Sequence, residues 1–419
     1  MHRTCAAFAL LVLSGFAAPA ADAPPAPKAN PDPKSLEVAP DELSRARELV
    51  QKLSSEGFRE REEAERELAA MGRLARAALL DGVNADPDPE VRHRCSALLP
   101  RATAEEMQAR LDTFLADTEN RYDHNLPGWQ KLRAAVRGEW KFFGRSLPAR
   151  PELDRAAREL FIEFIQAPGG RQAMAAVDQS PEELGRFVST RKQEIYDAKY
   201  RRRGAVASHN PTVPELMAVF FAESQVDSRL VPKSMVLTGL LQQAGVPGVV
   251  QGASERAKAM RAVLTAWLDS RTDPADVYSA MTLARSTLND PAAAGRLAGR
   301  LLEAKGLTGY QKGYAVTYLV QLGLKDKLPA IEKAMTDTTV VSTTIRVVGG
   351  KQVRESVEVR DVALLGAIVL TGQKPEDYGF DSIAGAGTPA SFSYSRARIP
   401  DEKRKGAAEM WKEWREKNP

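Results

Sequence analysis

Apolar residues along most of this chain recur at intervals of three and four positions, the spacing that places them on one face of an α-helix. One cadence, an alanine, a leucine four positions later, an apolar residue and a glycine, occurs twice, each time with an aspartate at the same later offset. The copies are Ala64, Leu68, Met71, Gly72 and Asp86, and then Ala315, Leu319, Leu322, Gly323 and Asp337. Helix pairs that are apolar on one side only must stack on neighbouring pairs, so the recurrence predicts an all-α array of stacked helix pairs, an α-solenoid.

Local signals mark where several helices begin. Asp273-Pro274 and Asp290-Pro291 each place an N-cap residue before a proline at the first helical position, which favours helix initiation. They predict consecutive helices over 274–288, 291–304 and 309–322, joined by short turns. Asp41 is the predicted N-cap of the first helix of the array.

One segment departs from the helical period. Residues 338–348 are rich in Val, Thr and Ile, Gly349-Gly350 follows, and apolar and polar residues then largely alternate over 352–359. A glycine pair between two such runs is typical of a β-hairpin, predicted over about 339–359 as an insertion in the array. The hairpin serves either recognition or capping. Helices predicted over 361–371 and 401–417 follow it.

The predicted domain organisation starts with a leader. Residues 1–20 combine a short basic start, an apolar run and the small residues Ala18-Pro19-Ala20, as in a secretory signal peptide cleaved near Ala20. Residues 21–40 are rich in Pro and Ala and are predicted to be a disordered linker. The remaining chain is divided into N-terminal helical repeats (41–150), a central helical array (151–337) and a C-terminal region (338–419).

The apolar leader is shorter than the roughly 20 residues that a membrane-spanning helix needs, and no later stretch reaches that length. We therefore expect no membrane span and an exported protein, periplasmic or secreted. The sequence has 59 basic and 55 acidic residues, a balance that argues against a nucleic-acid partner. After cleavage only Cys95 remains, so no intramolecular disulfide is expected.

The sequence lacks the common motifs for metal binding, catalysis and cofactors. The histidines His2, His93, His124 and His209 form no pair at metal-binding spacing, and His93 and Cys95 point to different faces of one helix. No nucleophile elbow, phosphate-binding loop or dinucleotide-binding glycine fingerprint is present. We therefore predict no metal, no cofactor and no enzymatic activity.

Residues 58–99 resemble a HEAT repeat followed by the first helix of the next repeat. The resemblance rests on Arg61 and Ala64, on the turn at Gly72, and on the run Asp86-Pro87-Asp88-Pro89-Glu90-Val91-Arg92. It implies a HEAT or armadillo-like α-solenoid of the exported bacterial type. In that family an Asp caps the helix and an Arg ties adjacent repeats together, which implies Asp88 or Asp86 as the cap and Arg92 as the tie.

A second resemblance suggests an enzyme. Residues 213–224 form an apolar helix that ends in Glu223-Ser224, and Gly239-Leu240-Leu241-Gln242 follows, which is similar to lytic transglycosylases of the lysozyme-like superfamily. The resemblance implies Glu223 as a general acid that acts on peptidoglycan. The alternative interpretation is that Glu223 is a solvated carboxylate at a helix end.

Two further groups of residues are weak candidates for binding. A basic cluster of Lys199, Arg201, Arg202 and Arg203 ends a helix predicted over 181–203; it either complements the helix dipole or forms a patch for an acidic partner. Trp411 and Trp414 lie on one side of the last helix, where they either close the apolar core or form a platform for a ligand.

The leading functional prediction is an exported, non-enzymatic helical-repeat scaffold that binds a protein or peptide. The alternatives are a degenerate lytic transglycosylase that uses Glu223 and a structural envelope protein without a discrete ligand.

Overall fold

A computed structural model describes residues 29–139, 141–142, 145–146, 150–200, 210–231, 238–243, 245–348, 351–380 and 388–418. This part of the chain is mostly helical, which confirms the predicted all-α class. The fold divides into two compact units, the first ending at His124 and the second beginning at Asn125. Three features of the prediction lie outside the described residues: the signal peptide at 1–20, the arginines at 201–203, and Gly349-Gly350.

The helices of the first unit share one apolar core. They are α1 (Pro40–Lys52), α2 (Phe58–Met71), α3 (Arg76–Ala85) and α4 (Pro89–Ala116). Buried members of the core include Leu53, Leu68, Leu79, Val91 and Cys95. The predicted N-cap at Asp41 is wrong, because Ala39 holds that position and Pro40 is the first helical residue. Proline suits this place, since the first helical N–H has no partner within the helix.

Part of the predicted disordered linker is ordered. Pro33–Leu36 forms a 3-10 turn, in which the Asp32 side chain accepts a hydrogen bond from the Lys34 N–H. The Arg73 side chain donates to the Leu36 carbonyl at 2.9 Å. The prediction therefore fails for this turn, while residues 21–28 lie outside the described ranges.

The turn between α3 and α4 carries the cap that the HEAT resemblance implied. Asp88 is the N-cap of α4, and its carboxylate accepts from the Glu90 N–H at 2.9 Å. Asp86 supports the same turn by accepting from the Asp88 N–H at 2.9 Å. Both candidate aspartates thus bind main-chain N–H groups at this turn, and Asp88 is the one that caps the helix.

Arg92, which the resemblance implied as the tie between repeats, binds the turn between α3 and α4. Its side chain donates to the carbonyls of Asp86 and Pro87, both at 2.8 Å, so it closes its own turn. The link between helices comes from Arg94, which donates to Glu62 of α2 at 3.0 Å. The two arginines point differently because they are two positions apart on a helix.

The second unit contains the remaining helices and two short antiparallel strand pairs. The helices are α5 (Trp129–Arg137), α6 (Asp154–Gln166), α7 (Gly170–Ala176), α8 (Pro181–Tyr200), α9 (Val213–Ser224), α10 (Thr238–Gln243), α11 (Val246–Val250), α12 (Glu255–Asp269), α13 (Pro274–Ser286), α14 (Pro291–Glu303), α15 (Gly309–Gln321), α16 (Leu328–Ala334), α17 (Val359–Leu370) and α18 (Asp401–Lys417). The strands are β1 (Lys141–Phe142), β2 (Arg145–Ser146), β3 (Val340–Val348) and β4 (Lys351–Glu358). The sequence did not predict the pair formed by β1 and β2.

Helix starts in this unit follow the sequence signals. Asp273 and Asp290 cap α13 and α14 through their side chains, each with proline next in the chain. Thr212 and Thr308 begin α9 and α15 with capping boxes, in which the threonine and a residue three positions later bind each other's main-chain N–H. The predicted helices at 274–288, 291–304 and 309–322 are confirmed, and each ends one or two residues early.

The predicted β-hairpin is confirmed. Strand β3 pairs with β4 in antiparallel register from Val340 opposite Glu358 to Val348 opposite Lys351, with one irregularity after Val340. Helix α17 begins directly after β4, at Val359, so the prediction of a start at residue 361 is two residues late. The last helix, α18, has the predicted bounds of 401–417.

Neighbouring helices of the second unit pack on one another in chain order. Helix α13 packs on α14, α14 on α15, and both α15 and α16 on α17, with the hairpin inserted before α17. Nearer the start of the unit, α12 packs against α5, α6 and α9. Arg256 of α12 binds Glu163 of α6 through two hydrogen bonds of 2.6 and 2.7 Å.

Within the described ranges, none of the helices combines the length and apolarity that crossing a membrane requires.

Candidate functional site

Helix α15 carries a stripe of tyrosines. Tyr310, Tyr314 and Tyr318 are spaced by four residues, so their side chains project from one face of the helix. The ring centroids of Tyr310 and Tyr314 are 5.6 Å apart, and those of Tyr314 and Tyr318 are 5.1 Å apart. These separations are typical of aromatic pairs in contact. The stripe is a continuous aromatic ridge along α15.

Two tyrosines from other segments join the ridge. Tyr278 of α13 lies 6.0 Å from Tyr314, and Tyr394, in a 3-10 turn before α18, lies 5.6 Å from Tyr310. The edge-to-face arrangement of both pairs is the favourable one for aromatic rings. The five rings come from positions between residues 278 and 394 of the chain, and we call them the tyrosine surface.

The tyrosine surface is partly open to solvent. Tyr310 is 43% exposed, whereas Tyr318 is buried at the other end of the stripe. Tyr278, Tyr314 and Tyr394 are half-buried. The guanidinium carbon of Arg285 lies 4.3 Å from the centre of the Tyr318 ring, a cation–π contact. The surface therefore presents fixed aromatic faces and one cation, with the outer rings accessible.

Three phenol groups of the surface, those of Tyr278, Tyr314 and Tyr394, have a raised pKa and are neutral at physiological pH. Burial raises the pKa of Tyr278, and a hydrogen bond with Tyr310 adds to the effect. Burial also raises the pKa of Tyr314 and of Tyr394. A neutral phenol can both donate and accept a hydrogen bond. The surface thus offers polar groups at the edges of apolar rings.

The hairpin borders the tyrosine surface. A side-chain carbon at Gly309 would come within 2.2 Å of the Val340 carbonyl oxygen, so only glycine allows this close approach of α15 to β3. Ile345 of β3 is 63% exposed and Val340 is also exposed. Arg398, four residues after Tyr394, donates to the Thr344 hydroxyl at 3.3 Å and fixes the hairpin to the tyrosine-bearing segment. The hairpin therefore carries two exposed apolar side chains, Val340 next to the start of α15 and Ile345 further along β3.

Glu223 lies in a buried cluster of charges, so the interpretation as a solvated carboxylate is wrong. The side chain has no exposed surface. Its Oε1 accepts from Lys192 Nζ at 2.9 Å and from Arg271 Nη1 at 3.0 Å, and its Oε2 accepts from Trp267 Nε1 at 3.0 Å. We call these four residues the Glu223 cluster. It joins α8, the end of α9 and the end of α12.

Arg271 contacts both Glu223 and Trp267 within the Glu223 cluster. It is fully buried, donates a second hydrogen bond to the Glu223 carbonyl at 2.9 Å, and stacks 5.2 Å from the Trp267 ring centre. Burial lowers the pKa of this guanidinium, while the charge of Glu223 opposes the shift. A buried carboxylate opposite two cations is a charge-compensated arrangement. A general acid must reach its substrate, and here Glu223 is enclosed by its own partners.

The basic cluster predicted at the end of α8 is only partly described. Lys199 is half-buried, and its ammonium donates to the Asn210 side chain. Arg201, Arg202 and Arg203 lie outside the described residues. Lys199 therefore holds the end of α8 next to the start of the following segment, and the patch for an acidic partner stays a prediction.

The tryptophans of α18 occupy different environments. Trp411 is buried and Trp414 is half-buried, with ring centroids 5.2 Å apart. Arg415 binds Glu332 of α16 at 2.9 Å, which holds the helix in place. The burial of Trp411 agrees with a role in closing the core, and Trp414 keeps some accessible surface.

Among the residues that the structure describes, no group of three or more His, Cys, Asp or Glu side chains could hold a metal ion.

The tyrosine stripe is visible in the sequence as three tyrosines at four-residue spacing, but Tyr278 and Tyr394 carry no such signal.

Comparison with known proteins gives no family or relative that would assign a role to the tyrosine surface. No protein-family model matches the chain, and no curated protein is similar to it.

Proposed function

We propose that this chain is an exported, non-enzymatic helical-repeat protein that holds a partner protein or peptide on its tyrosine surface. The finer fold assignment, a HEAT or armadillo-like α-solenoid, belongs to the same proposal. It is supported by the packing of α13, α14, α15 and α17 in chain order and by the Asp88 cap. In such proteins, adjacent units build a continuous surface for partners.

The observation that carries the proposal is the composition of the tyrosine surface and its border. Tyrosine supplies a large contact area at low cost in conformational entropy, and it is enriched at protein interfaces. Here five tyrosines hold one another in place, the exposed Tyr310 follows Gly309, which approaches Val340 closely, and Ile345 is exposed further along β3. Exposed apolar groups that adjoin each other favour a binding surface.

The hairpin edge adds a way to recognise an extended segment. β3 and β4 pair only with each other among the described strands. Helix α15 packs closely on β3 at Val340, and Arg404 binds the Ser356 carbonyl of β4, so a peptide would bind the hairpin edge away from these two contacts. An extended peptide can bind such an edge while its side chains contact a neighbouring aromatic surface. We therefore expect the partner to contribute an extended, partly apolar segment.

Binding is proposed rather than catalysis because the Glu223 carboxylate already accepts three hydrogen bonds inside its cluster. Export is proposed from the leader at residues 1–20. N-terminal sequencing of the mature protein tests export, and we expect cleavage near Ala20. Clearing of a peptidoglycan suspension by the purified native protein would contradict the proposal and favour the alternative.

A photo-crosslinking amino acid at position 310 tests the binding surface in the native cell envelope. We expect one defined adduct, because Tyr310 is the exposed end of the tyrosine surface. The matched control places the same group at Tyr122, an exposed tyrosine of the first unit, and no adduct of the same mass is expected there. Identical adducts from both positions, or none from position 310, would contradict the proposal.

A pair of serine variants measures the contribution of the surface once the partner is known. Tyr310→Ser combined with Ile345→Ser removes two exposed apolar side chains and should weaken binding by at least about tenfold, the effect expected of an interface hot spot. Tyr122→Ser is the control and should bind as the wild type does. Equal affinities of all three proteins would place the partner elsewhere.

A further inference from the structure

A second candidate site lies in the second unit, apart from the tyrosine surface. A cleft of about 890 Å³ opens among α5, α12, α14 and α16. This volume lies within the range of sites that hold small organic ligands. None of the five tyrosines lines it. The two sites can therefore be tested separately.

The lining of the cleft is unusually cationic for a chain whose net formal charge is only +4. Six cationic side chains and three acidic ones, Asp269, Asp290 and Glu303, line the cleft, and two of the cations, Lys258 and Lys327, form ion pairs with Glu255 and Asp326 outside the lining. The cations are Arg150, Lys258, Arg261, Arg296, Arg300 and Lys327. We call this opening the basic cleft. A concentration of one sign of charge in a concave site attracts ligands of the opposite sign.

Two of the arginines are held by main-chain carbonyls. Arg261 donates to the carbonyls of Val250 and Gly252, at the end of α11, the latter at 2.7 Å. Within the described ranges, no carboxylate forms an ion pair with Arg261. Carbonyls at a helix C-terminus carry a partial negative charge. They position the guanidinium and leave most of its charge available to a ligand.

Arg300 is anchored in the same manner at the end of α12. Its guanidinium donates to the Asp269 carbonyl at 3.1 Å and to the Arg271 carbonyl. Burial lowers the pKa of this guanidinium, and the charge of Asp269 opposes the shift. A cation in such a partly desolvated place gains more from an added anion than a cation in open water does.

The acidic residues of the cleft are largely engaged. Asp269 binds Arg296 at 3.0 Å, and Asp290 accepts from the Ala293 N–H at 2.9 Å as the N-cap of α14. Each of these carboxylates therefore has a structural partner. The remaining acid, Glu303, is exposed at the end of α14. The lining therefore contains more cations than acids, and Arg261 and Arg300 are the two whose guanidinium groups are held by main-chain carbonyls.

Between the charged groups, the walls are made of small side chains. Ala262 and Ala266 of α12, and Ala292 and Gly299 of α14, all line the cleft. Such residues leave room between the helices and give the cleft apolar surface. A ligand that fits has charged groups for the arginines and an organic body for the small residues.

We propose that the basic cleft binds a small organic molecule with at least two anionic groups, carboxylate or phosphate. Arginine is the side chain best suited to these groups, because its planar guanidinium can donate two parallel hydrogen bonds to either. Arg261, Arg296 and Arg300 provide three such donors in one opening. One anionic group would bind Arg261 and a second would bind Arg300, the two arginines that main-chain carbonyls hold in the lining.

Isothermal titration with tripolyphosphate and with citrate tests the proposal, at low and at physiological ionic strength. We expect saturable binding of at least one probe by the native protein. Arg261→Gln and Arg296→Gln should each weaken it by at least about tenfold, the effect of losing one charged hydrogen-bond partner. Tighter binding of tripolyphosphate identifies a phosphate ligand, and tighter binding of citrate a carboxylate ligand.

Arg155→Gln is the matched control, because Arg155 is an exposed arginine of α6 outside the cleft; it should bind like the wild type. Thermal unfolding without ligand checks that each variant is folded. If Arg261→Gln fails to fold, Arg296→Gln decides. The proposal is overturned if neither probe saturates the native protein at physiological ionic strength, or if Arg155→Gln weakens binding as much as the cleft variants. Tyr310→Ser should leave anion binding unchanged.

Discussion

The two compact units of this chain differ in how far they bury charged side chains. The core of the first unit consists of apolar residues such as Leu68 and Cys95, and its arginines keep part of their surface in water, as Arg94 does. The second unit buries Glu223, Lys192 and Arg271 together. Among the described residues of the first unit, only the contact between Asp117 and His124, near the end of the unit, places two ionisable side chains together in the interior.

The difference shows how each unit specifies its helix arrangement. An apolar core tolerates exchange of one hydrophobic residue for another of similar volume. A buried ion cluster requires every partner, because removal of one leaves an unpaired charge in the interior. The second unit, which also carries the tyrosine surface and the basic cleft, should therefore be the less tolerant of the two.

Separate reporters exist for the two units. All five tryptophans lie after residue 125, whereas Cys95 in the first unit is the only cysteine beyond the predicted leader. Burial raises the pKa of the Cys95 thiol to about 11, and the charge of Asp86 adds to the shift. The native thiol is therefore unreactive at neutral pH, and its labelling reports opening of the first unit.

The largest effect is expected from Glu223→Ala. Two buried cations lose their counterion, so the free energy of unfolding of the second unit should fall by about 3–5 kcal/mol. Tryptophan fluorescence during urea unfolding measures it. A variant with Lys192→Met, Glu223→Leu and Arg271→Met should recover most of the loss, because no charge remains unpaired. A cost below about 1 kcal/mol for Glu223→Ala, typical of exposed pairs, would remove the contrast between the units.

Leu68→Ala tests the apolar core of the first unit. Loss of this fully packed side chain should lower the free energy of unfolding by about 2–5 kcal/mol. Cys95 should then be labelled faster, while tryptophan emission stays native. Leu80→Ala is the control, since Leu80 is an exposed leucine of the same unit and its loss should cost less than about 0.5 kcal/mol. Equal labelling rates in the two variants would contradict the predicted core.

The buried contact between Asp117 and His124 predicts that the stability of the first unit depends on pH. Burial alone would raise the pKa of Asp117, but hydrogen bonds from the Arg121 and Tyr122 N–H groups and from the His124 ring hold it below its usual value. A carboxyl with a lowered folded pKa stabilises the protein above the unfolded pKa of about 4, and that stability is lost as the pH falls below it.

Replacement of Asp117 should remove this pH dependence. In Asp117→Asn, hydrogen exchange of peptides from residues 100–124, corrected for intrinsic rates, should be faster than wild type at neutral pH and should approach the wild-type values as the pH drops to about 3. Asp112→Asn is the control, as Asp112 is exposed in the same helix. An unchanged difference across the whole range would show that Asp117 does not contribute through its charge.

The smallest loss of unfolding free energy is expected when one helix N-cap is removed in each unit. Asp88→Ala and Asp273→Ala each remove a side chain that accepts from a main-chain N–H at the start of a helix. Each should cost about 1 kcal/mol, read through Cys95 labelling for the first and tryptophan fluorescence for the second. A cost above about 2 kcal/mol in either unit would mean that the aspartate does more than cap its helix.

Features encoded by neighbouring residues were predictable from the sequence. Asp273-Pro274 and Asp290-Pro291 mark helix starts because the cap and the proline act within one turn, and the hairpin at 340–358 follows from alternation around two glycines. The start of α1 was misplaced because Pro40 and Asp41 are both acceptable near a helix N-terminus, and the sequence alone does not decide between them.

Features formed by distant residues could not be predicted. Glu223 resembled a solvated carboxylate because its partners Lys192 and Arg271 lie 31 and 48 residues away. The cations of the basic cleft likewise come from distant segments, namely α12, α14, the turn before α16 and the segment before α6. In each case the sequence contains the residue types, but only the packing of α8, α9, α12 and α14 brings them together.

The order of helix packing has a consequence for folding kinetics. Contacts between helices adjacent in the chain, such as α13 with α14, close short loops and cost little chain entropy, which favours rapid formation. The bond between Arg256 and Glu163 closes a loop of 93 residues, and the Glu223 cluster also depends on closing long loops. We therefore expect the helix pairs to form first and the buried charges to be paired late, so that the ion cluster mainly slows unfolding.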